Sequence, residues 1–142
     1  MKSIPVLAVA AVTMTLLLSG CVAPTQKTTP LKCSVGEPMT QTTLYFGLNR
    51  PAGPVITATE WQSYVDQQVT PRFKEGLSVF DAKGQWLGKE GKLARENSKA
   101  LMLIHVPGAA SEQNIEALRS QYIQQFAQDS VMRIDMPVCV AF

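Results

Sequence analysis

Four stretches of the chain show the apolar and polar patterns that are typical of β-strands. The first, residues 40–48, alternates, with Leu44, Phe46 and Leu48 on one face, and predicts a half-buried strand. The third, residues 99–106, is apolar on both faces, which is typical of a central strand that is covered on both sides. The pattern further predicts a second strand at 76–81, a turn at 82–84, a short hairpin arm at 85–87, a charged loop at 89–97 and a fourth strand at 131–138.

Two segments between these strands show the 3.6-residue period of amphipathic helices. Thr57 and Glu60 have the spacing of a capping box, in which the hydroxyl accepts an early backbone N–H and the carboxylate reaches back. Pro71 is expected to end the first helix and Ser111 to cap the second. The predicted apolar faces are Trp61, Tyr64, Val65 and Val69 in the first helix, and Ile115, Leu118, Tyr122 and Phe126 in the second.

The order of these elements, β-α-β-(β)-β-α-β, predicts a ferredoxin-like α+β sandwich. In that topology a four-stranded antiparallel sheet with the order 4-1-3-2 carries two helices on one face, and the hairpin arm is an addition. The strand at 99–106 then lies in the middle of the sheet, as its apolar character requires. The alternative is a small α+β fold with another strand order.

This arrangement leaves one face of the sheet without helices, and that face is expected to be apolar. An apolar face needs a cover, which the hairpin arm, a second subunit or a ligand could supply. If the helices cover Leu44, Phe46, Leu77 and Val79, the uncovered face carries Tyr45, Phe80, Leu101 and Leu103.

The first 21 residues have the pattern of a bacterial lipoprotein signal peptide. Lys2 precedes an apolar run at 4–18, which is shorter than the about 20 residues that a membrane-spanning helix needs. The segment Leu18-Ser19-Gly20-Cys21 resembles a lipobox, which implies a thioether-linked diacylglyceryl group on Cys21, cleavage before it and acylation of the new amine. The alternatives are a plain secretory signal peptide and an uncleaved anchor.

The sequence therefore predicts a signal peptide at 1–20, a lipidated cysteine with a polar tether at 21–39, and a single α+β domain at 40–142. Val22 follows the cysteine, and a residue other than Asp at this position resembles cargo that many Gram-negative bacteria send to the outer membrane. We expect a protein anchored to the outer membrane by its lipid and facing the periplasm.

Composition excludes several classes of function. The net charge of +2 is small, and no basic run with interleaved aromatic residues is present, so we expect no nucleic-acid partner. The chain has a single histidine and lacks CxxC, HExxH, phosphate-loop and nucleophile-elbow motifs, so we expect no metal and no cofactor.

Two cysteines remain after processing, and they are expected to form a disulfide. A lipobox places the domain in an oxidising compartment. The first and last strands of the predicted sheet are antiparallel neighbours, so Cys33, just before the first, lies near Cys139 at the end of the last. The alternatives are metal ligation and a reactive thiol.

Polar residues near the central strand are the remaining candidates for chemistry. His105, at the end of that strand, is either a general base or a structural histidine. The segment from Arg95 to Lys99 is polar and enters the sheet, where it lines a binding groove or forms a solvated loop.

Several blocks of the sequence resemble a domain-of-unknown-function family of small secreted bacterial proteins. The resemblance covers about residues 40–139 and includes one departure, Lys74 in place of a frequent proline. It implies a stand-alone secreted domain without an established activity. It is carried by Tyr45-Phe46-Gly47, Trp61, Thr70-Pro71-Arg72-Phe73, Gly84-Gln85-Trp86, Arg95-Glu96 and Ser98-Lys99.

Two functions remain open at the level of sequence. The first is a non-catalytic envelope lipoprotein that binds a protein, peptidoglycan or a small ligand, either as a homodimer or with an envelope partner. The second is a small enzyme of the dimeric α+β-barrel type with a pocket on the sheet face. Trp61 and Trp86 are expected in the core, and the candidate binding residues are Arg72, Gln85, Arg95, Glu96, Ser98 and His105.

Overall fold

The computed structural model describes residues 31–142, which form one antiparallel sheet and a layer of helices. The predicted signal peptide, Cys21 and most of the tether lie outside the described residues. In chain order the elements are β1 (Glu37–Gly47), α1 (Ala58–Tyr64) continued by a π-helical segment (Val65–Val69), β2 (Ser78–Leu87), β3 (Leu93–His105), α2 (Ala109–Phe126) and β4 (Met132–Val140).

The four strands pair antiparallel in the order β2-β3-β1-β4. This is the predicted order 4-1-3-2 read from the other edge, so the ferredoxin-like α+β sandwich is confirmed. β3 pairs with β2 on one side and with β1 on the other, which explains why a segment at its centre is apolar on both faces.

The helices begin and pack as their sequences predict, with one exception. Thr57 and Glu60 form the capping box at the start of α1, and all eight residues of the two predicted apolar faces are buried. The exception is Ser111, because α2 starts earlier, after Gly108. The Ser111 hydroxyl donates instead to the carbonyl oxygen of Val106, at 2.7 Å.

The predicted turn at 82–84 is wrong, because β2 runs without a break through these residues. Gly84 lies in the strand and pairs with Glu96, so the predicted loop at 89–97 is strand from Leu93 onward. Residues 85–87 do pair in a hairpin, as the outer end of β2. The reversal lies at 88–92, where Gly91 has a φ of 72°.

An aromatic cluster fills the space between the sheet and the helices. Phe46 of β1 lies at its centre, and its ring centroid is 4.6 Å from that of Tyr122 and 5.2 Å from that of Trp61. The buried phenols keep a polar partner, since Tyr64 donates to the carbonyl of Leu118 and Tyr122 to that of Gly47. Trp61 is thus a core residue, as predicted.

The assignment of Leu101 and Leu103 to the uncovered face is wrong. Leu101 pairs directly with Leu44, and both leucines of β3 are fully buried under the helices. Paired residues share a face of the sheet, so the register between β1 and β3 decides the question. Tyr45 and Phe80 do lie on the face without helices, which we call the open face.

The hairpin does not cover the open face. Phe80 and Met132, at its two edges, are each 53% exposed. Trp86, predicted as a core residue, lies in the hairpin on this same face and is 51% exposed. Of the three covers that the sequence leaves open, the hairpin is therefore not the one that shields this face.

The predicted disulfide is confirmed. Cys33 and Cys139 are bonded, with their Cα atoms 5.5 Å apart. Cys139 pairs with Pro38 in the β1–β4 ladder, so the bond fastens the segment before β1 to the end of β4. Within residues 31–142 no helix is long and apolar enough to cross a membrane.

Candidate ligand-binding groove

A groove of about 970 Å³ lies at one end of the open face. Its floor is the part of the sheet where β2 and β3 continue past the end of β1. The loops at 49–51 and 127–130 form its other side. The side chains that project from the open face into this region are Tyr45, Ala82, Trp86, Glu96, Ser98 and Met132.

Glu96 is held in position at the floor of the groove. Its Oε1 accepts a hydrogen bond from the backbone N–H of Asn49, at 2.9 Å. The carboxylate lies directly over Gly47, where a Cβ atom would be only 2.6–2.8 Å from its oxygen and carbon atoms. Because Gly47 has no Cβ, the Glu96 carboxylate can occupy this space and reach the end of β1.

The loop wall of the groove is fastened by several polar contacts. Nε2 of Gln128 donates to the carbonyl oxygen of Asn49 at 2.6 Å, which joins the two loops. The Arg50 guanidinium lies 5.6 Å from the ring centre of Phe126 and bonds Glu60 at 2.5 Å. Hydrogen bonds from the Thr57 backbone and from Arg50 lower the pKa of Glu60 to about 2, so the ion pair persists in mild acid.

Some of the predicted binding residues line the groove, and others lie elsewhere. Glu96 and Ser98 line it with their side chains, and Arg95 borders it. The Arg95 guanidinium, however, donates from Nε to Oε1 of Gln85 at 2.9 Å, on the opposite face of the hairpin. Arg72 lies beyond the helical layer and donates to the carbonyl of Gln68 at 2.7 Å.

His105 lies at the far end of the sheet, seven residues along β3 from Ser98. It is 6% exposed, and its Nε2 is 2.8 Å from the hydroxyl oxygen of Thr42. Since that hydroxyl gives its one proton to Asp135, at 2.6 Å, Nε2 of His105 is the donor to Thr42. His105 joins three strands and does not belong to the groove, so a cavity that combines it with Arg95 and Glu96 is not formed.

Sequence reasoning missed several residues of the groove. Trp86 was expected in the core, and Gly47, Asn49, Gln128 and Met132 were not considered for a site. The alternation from Phe46 already places Gly47 on the open face, but only the register of β1 with β3 brings it beside Glu96. Four of the blocks that carry the family resemblance meet in the groove, through Tyr45 with Gly47, Gly84 with Trp86, Glu96, and Ser98.

The fold and the groove define a small ferredoxin-like α+β domain with a ligand-sized cavity on its open sheet face. The family described as "protein of unknown function (DUF3574)" matches residues 41–142, and the chain belongs to this family. No curated protein matches the chain.

Solved structures share the fold at low sequence identity. A phage SAM lyase in complex with S-methyl-5'-thioadenosine aligns with a TM-score of 0.55 and 18% identity, over 78% of this chain and 96% of its own. A phage SAM lyase in the apo state gives 0.52 and 20%, over 79% and 98%. CutA from Synechococcus elongatus gives 0.48 and 12%, over 72% and 78%. At these identities the likeness to the two lyase structures shows the fold alone.

Proposed function

We propose that the chain is a lipid-anchored, non-catalytic module of the bacterial cell envelope that binds a small ligand in the groove. The observation that carries the proposal is the carboxylate of Glu96, held by the Asn49 N–H in a groove that aromatic and thioether side chains also line. A ligand of matching chemistry has a flat apolar part and an amine or hydroxyl that donates to this carboxylate.

The apolar walls of the groove support this ligand class. Tyr45 and Met132 lie side by side as partners in the β1–β4 ladder, and Trp86 stands on the hairpin. Binding pockets combine such apolar surfaces with a few polar groups that orient the ligand. Trp86 is half-exposed, so part of its apolar ring is in contact with water, and a flat ligand stacked on the ring would bury that surface.

The Glu96 carboxylate supports a ligand that carries a hydrogen-bond donor. Among residues 31–142, Glu96 accepts one hydrogen bond from Asn49 and enters no salt bridge. Three cations border the groove: Arg50 is paired with Glu60, Arg95 is bonded to Gln85, and Lys83 lies on the opposite face of β2 from Ala82 and Gly84. A carboxylate has more acceptor capacity than the Asn49 N–H uses, so it can accept from a ligand as well.

The ligand class can be tested with two aromatic probes of similar size and opposite charge. Tryptamine, an amine, should shift the backbone amide resonances of Gly47, Gly84 and Glu96 in nuclear magnetic resonance spectra. Indole-3-propionate, a carboxylate, should leave them unchanged. Glu96→Gln should weaken tryptamine binding roughly tenfold, the loss expected for a charge-assisted hydrogen bond.

Glu75→Gln serves as the control, since Glu75 is an exposed carboxylate outside the groove. Equal binding of both probes, or tryptamine shifts confined to residues outside the groove, would contradict the proposed ligand class.

The anchor is supported by the sequence Leu18-Ser19-Gly20-Cys21 and is tested by metabolic labelling with a palmitate analogue. The wild-type chain should take up the label and fractionate with the outer membrane. Cys21→Ala should take up none. An unlabelled wild-type chain, or a labelled variant, would refute the anchor while leaving the groove proposal untouched.

A further inference from the structure

Beyond the groove, the open face carries no charged side chain over most of its area. Alternate residues of each strand point to this face, and the ladders align them in rows across the sheet. The uncharged residues are Met39, Gln41, Thr43 and Tyr45 in β1, Ser78 and Phe80 in β2, Ala100, Met102 and Ile104 in β3, and Met132, Ile134, Met136, Val138 and Val140 in β4. The one charged residue of this area is Glu37, at the start of β1 and opposite Val140.

The large apolar side chains of this face are exposed to water. Phe80 on one edge strand is 53% exposed, while Ile134 and Met136 on the other are 42% and 46% exposed. Single exposed apolar residues are common on protein surfaces, but a continuous patch that crosses four strands marks an interaction site. The helices lie on the other face and the hairpin leaves these side chains exposed, so no described part of this chain covers the patch.

We infer that the open face is an interface with a second copy of this chain. Apart from Glu37 at one end of β1, the face outside the groove is uncharged, so its central part can meet itself without like-charge repulsion, as a self-complementary two-fold interface requires. The tether is a poor alternative cover, because residues 22–30, VAPTQKTTP, are mostly polar and include Lys27.

The area of the face suits a small interface. Outside the groove it covers about 24 strand residues at about 4.8 Å by about 3.3 Å each, which gives on the order of 400 Å² before side-chain relief is counted. Burying this face on both copies removes roughly 800 Å² of projected area from water, and the relief of the exposed side chains adds to this, toward the about 1,000 Å² at which specific interfaces begin. Face-to-face sheets pack about 10 Å apart, so the exposed side chains would interdigitate.

The interface is continuous with the groove. Tyr45 and Met132 belong both to the uncharged face and to the lining of the groove. A second copy on the face therefore adds a wall where the groove is open to solvent. The inference itself rests on the face alone and does not depend on the ligand or the anchor.

Site-specific photo-crosslinking in cells tests the inference on the full chain. A photoreactive phenylalanine analogue is placed at Phe80 on the open face. As the control it is placed at Leu87, which is on the same strand, faces the other side and is 69% exposed. Cells express the chain with two different epitope tags. The Phe80 probe should give adducts that contain both tags, and the Leu87 probe should give none.

A charged substitution on β4, the edge strand opposite the one that carries Phe80, provides the second test. Ile134→Glu places one carboxylate per copy, hence two in a symmetric interface, and should weaken self-association at least roughly a hundredfold. Leu87→Glu should leave the crosslink intact, and circular dichroism confirms that both variants fold. A Phe80 adduct with a different protein or with residues 22–36 of the same chain would overturn the inference, and so would the absence of any adduct.

Discussion

At the scale of single residues, Gly47 and Glu96 depend on each other. The acid occupies the volume that a Cβ on Gly47 would fill, and the hydrogen bond from Asn49 keeps it there. Glycine in a strand otherwise costs stability, because it loses more conformational entropy on folding than alanine does. Whether a substitution at Gly47 lowers or raises the free energy of unfolding should therefore depend on the residue at position 96.

Gly47→Ala is expected to lower the free energy of unfolding by about 1 kcal/mol, because the new methyl group displaces the Glu96 carboxylate from Asn49. In a Glu96→Ala background the same change should be neutral or stabilising by about 0.5 kcal/mol. Urea unfolding of the four chains measures this coupling. Equal costs in the two backgrounds would show that the contact has no energetic role.

Thr42 connects the buried His105 with Asp135, which is partly exposed. Thr42 itself is fully buried, accepts from His105 and donates to Asp135. Thr42→Val keeps the shape but leaves the buried Nε2 of His105 without its partner, whereas Asp135 keeps Arg133, so it should cost about 1–2 kcal/mol in the free energy of unfolding. Thr43→Val, one residue on and on the open face, is the matched control and should change it by less than about 0.5 kcal/mol. Similar costs at the two positions would contradict this role of Thr42.

At the scale of elements, the sequence predicts helices and strands better than it predicts where a hairpin turns. Ala82-Lys83-Gly84 has the composition of a turn, yet Gly84 lies within β2 opposite Glu96. Leu101 and Leu103 show a second limit, since their face depends on pairing with β1, more than fifty residues earlier in the chain. Register between distant strands is a tertiary property, so local patterns do not specify it.

The contact between α2 and β4 is electrostatic and should be sensitive to acid. Arg133 of β4 bonds Glu112 and Glu116 of α2, as well as Asp135. Its guanidinium lowers the pKa of Glu112. In Glu116 and Asp135 burial acts in the other direction, but the hydrogen bonds from Arg119, Thr42 and Arg133 outweigh it, so the pKa of each is also lowered.

Carboxyls whose pKa is lower in the folded state stabilise it above their unfolded pKa values and lose this effect as pH falls. With Glu60 included, whose pKa is about 2, the free energy of unfolding should decrease as pH falls from about 4.5 toward 2. Arg133→Met should flatten this decrease, whereas Lys83→Met, at an exposed cation of β2, should not. Parallel pH profiles for all three chains would contradict the role of Arg133.

At the scale of the whole molecule, the topology and the disulfide were predictable together. The element order implied that the first and last strands are neighbours, and this adjacency brought Cys33 to Cys139. The groove was only partly predictable. Glu96 and Ser98 were candidates from sequence, but the loops that face them come together only through contacts such as Gln128 with Asn49.

The disulfide should contribute strongly to stability, because it closes a loop of 106 positions. The chain-entropy relation gives about 4.7 kcal/mol for a loop of this size as an upper figure. Reduction should therefore lower the free energy of unfolding by about 4 kcal/mol, measured by denaturation with and without reductant. A chain with Cys33→Ser and Cys139→Ser should already show the lower value and should not respond to reductant. A wild-type chain that is insensitive to reduction would contradict this contribution.

The central claim is that the groove on the open face holds a small ligand in the cell envelope. Native mass spectrometry of the full chain, released from the membrane in detergent, tests it most directly. We predict that the wild-type chain carries a small-molecule adduct that is lost in both Glu96→Ala and Trp86→Ala and is retained in Glu75→Gln. A wild-type chain without any adduct, or an adduct that survives both groove substitutions, would contradict the claim.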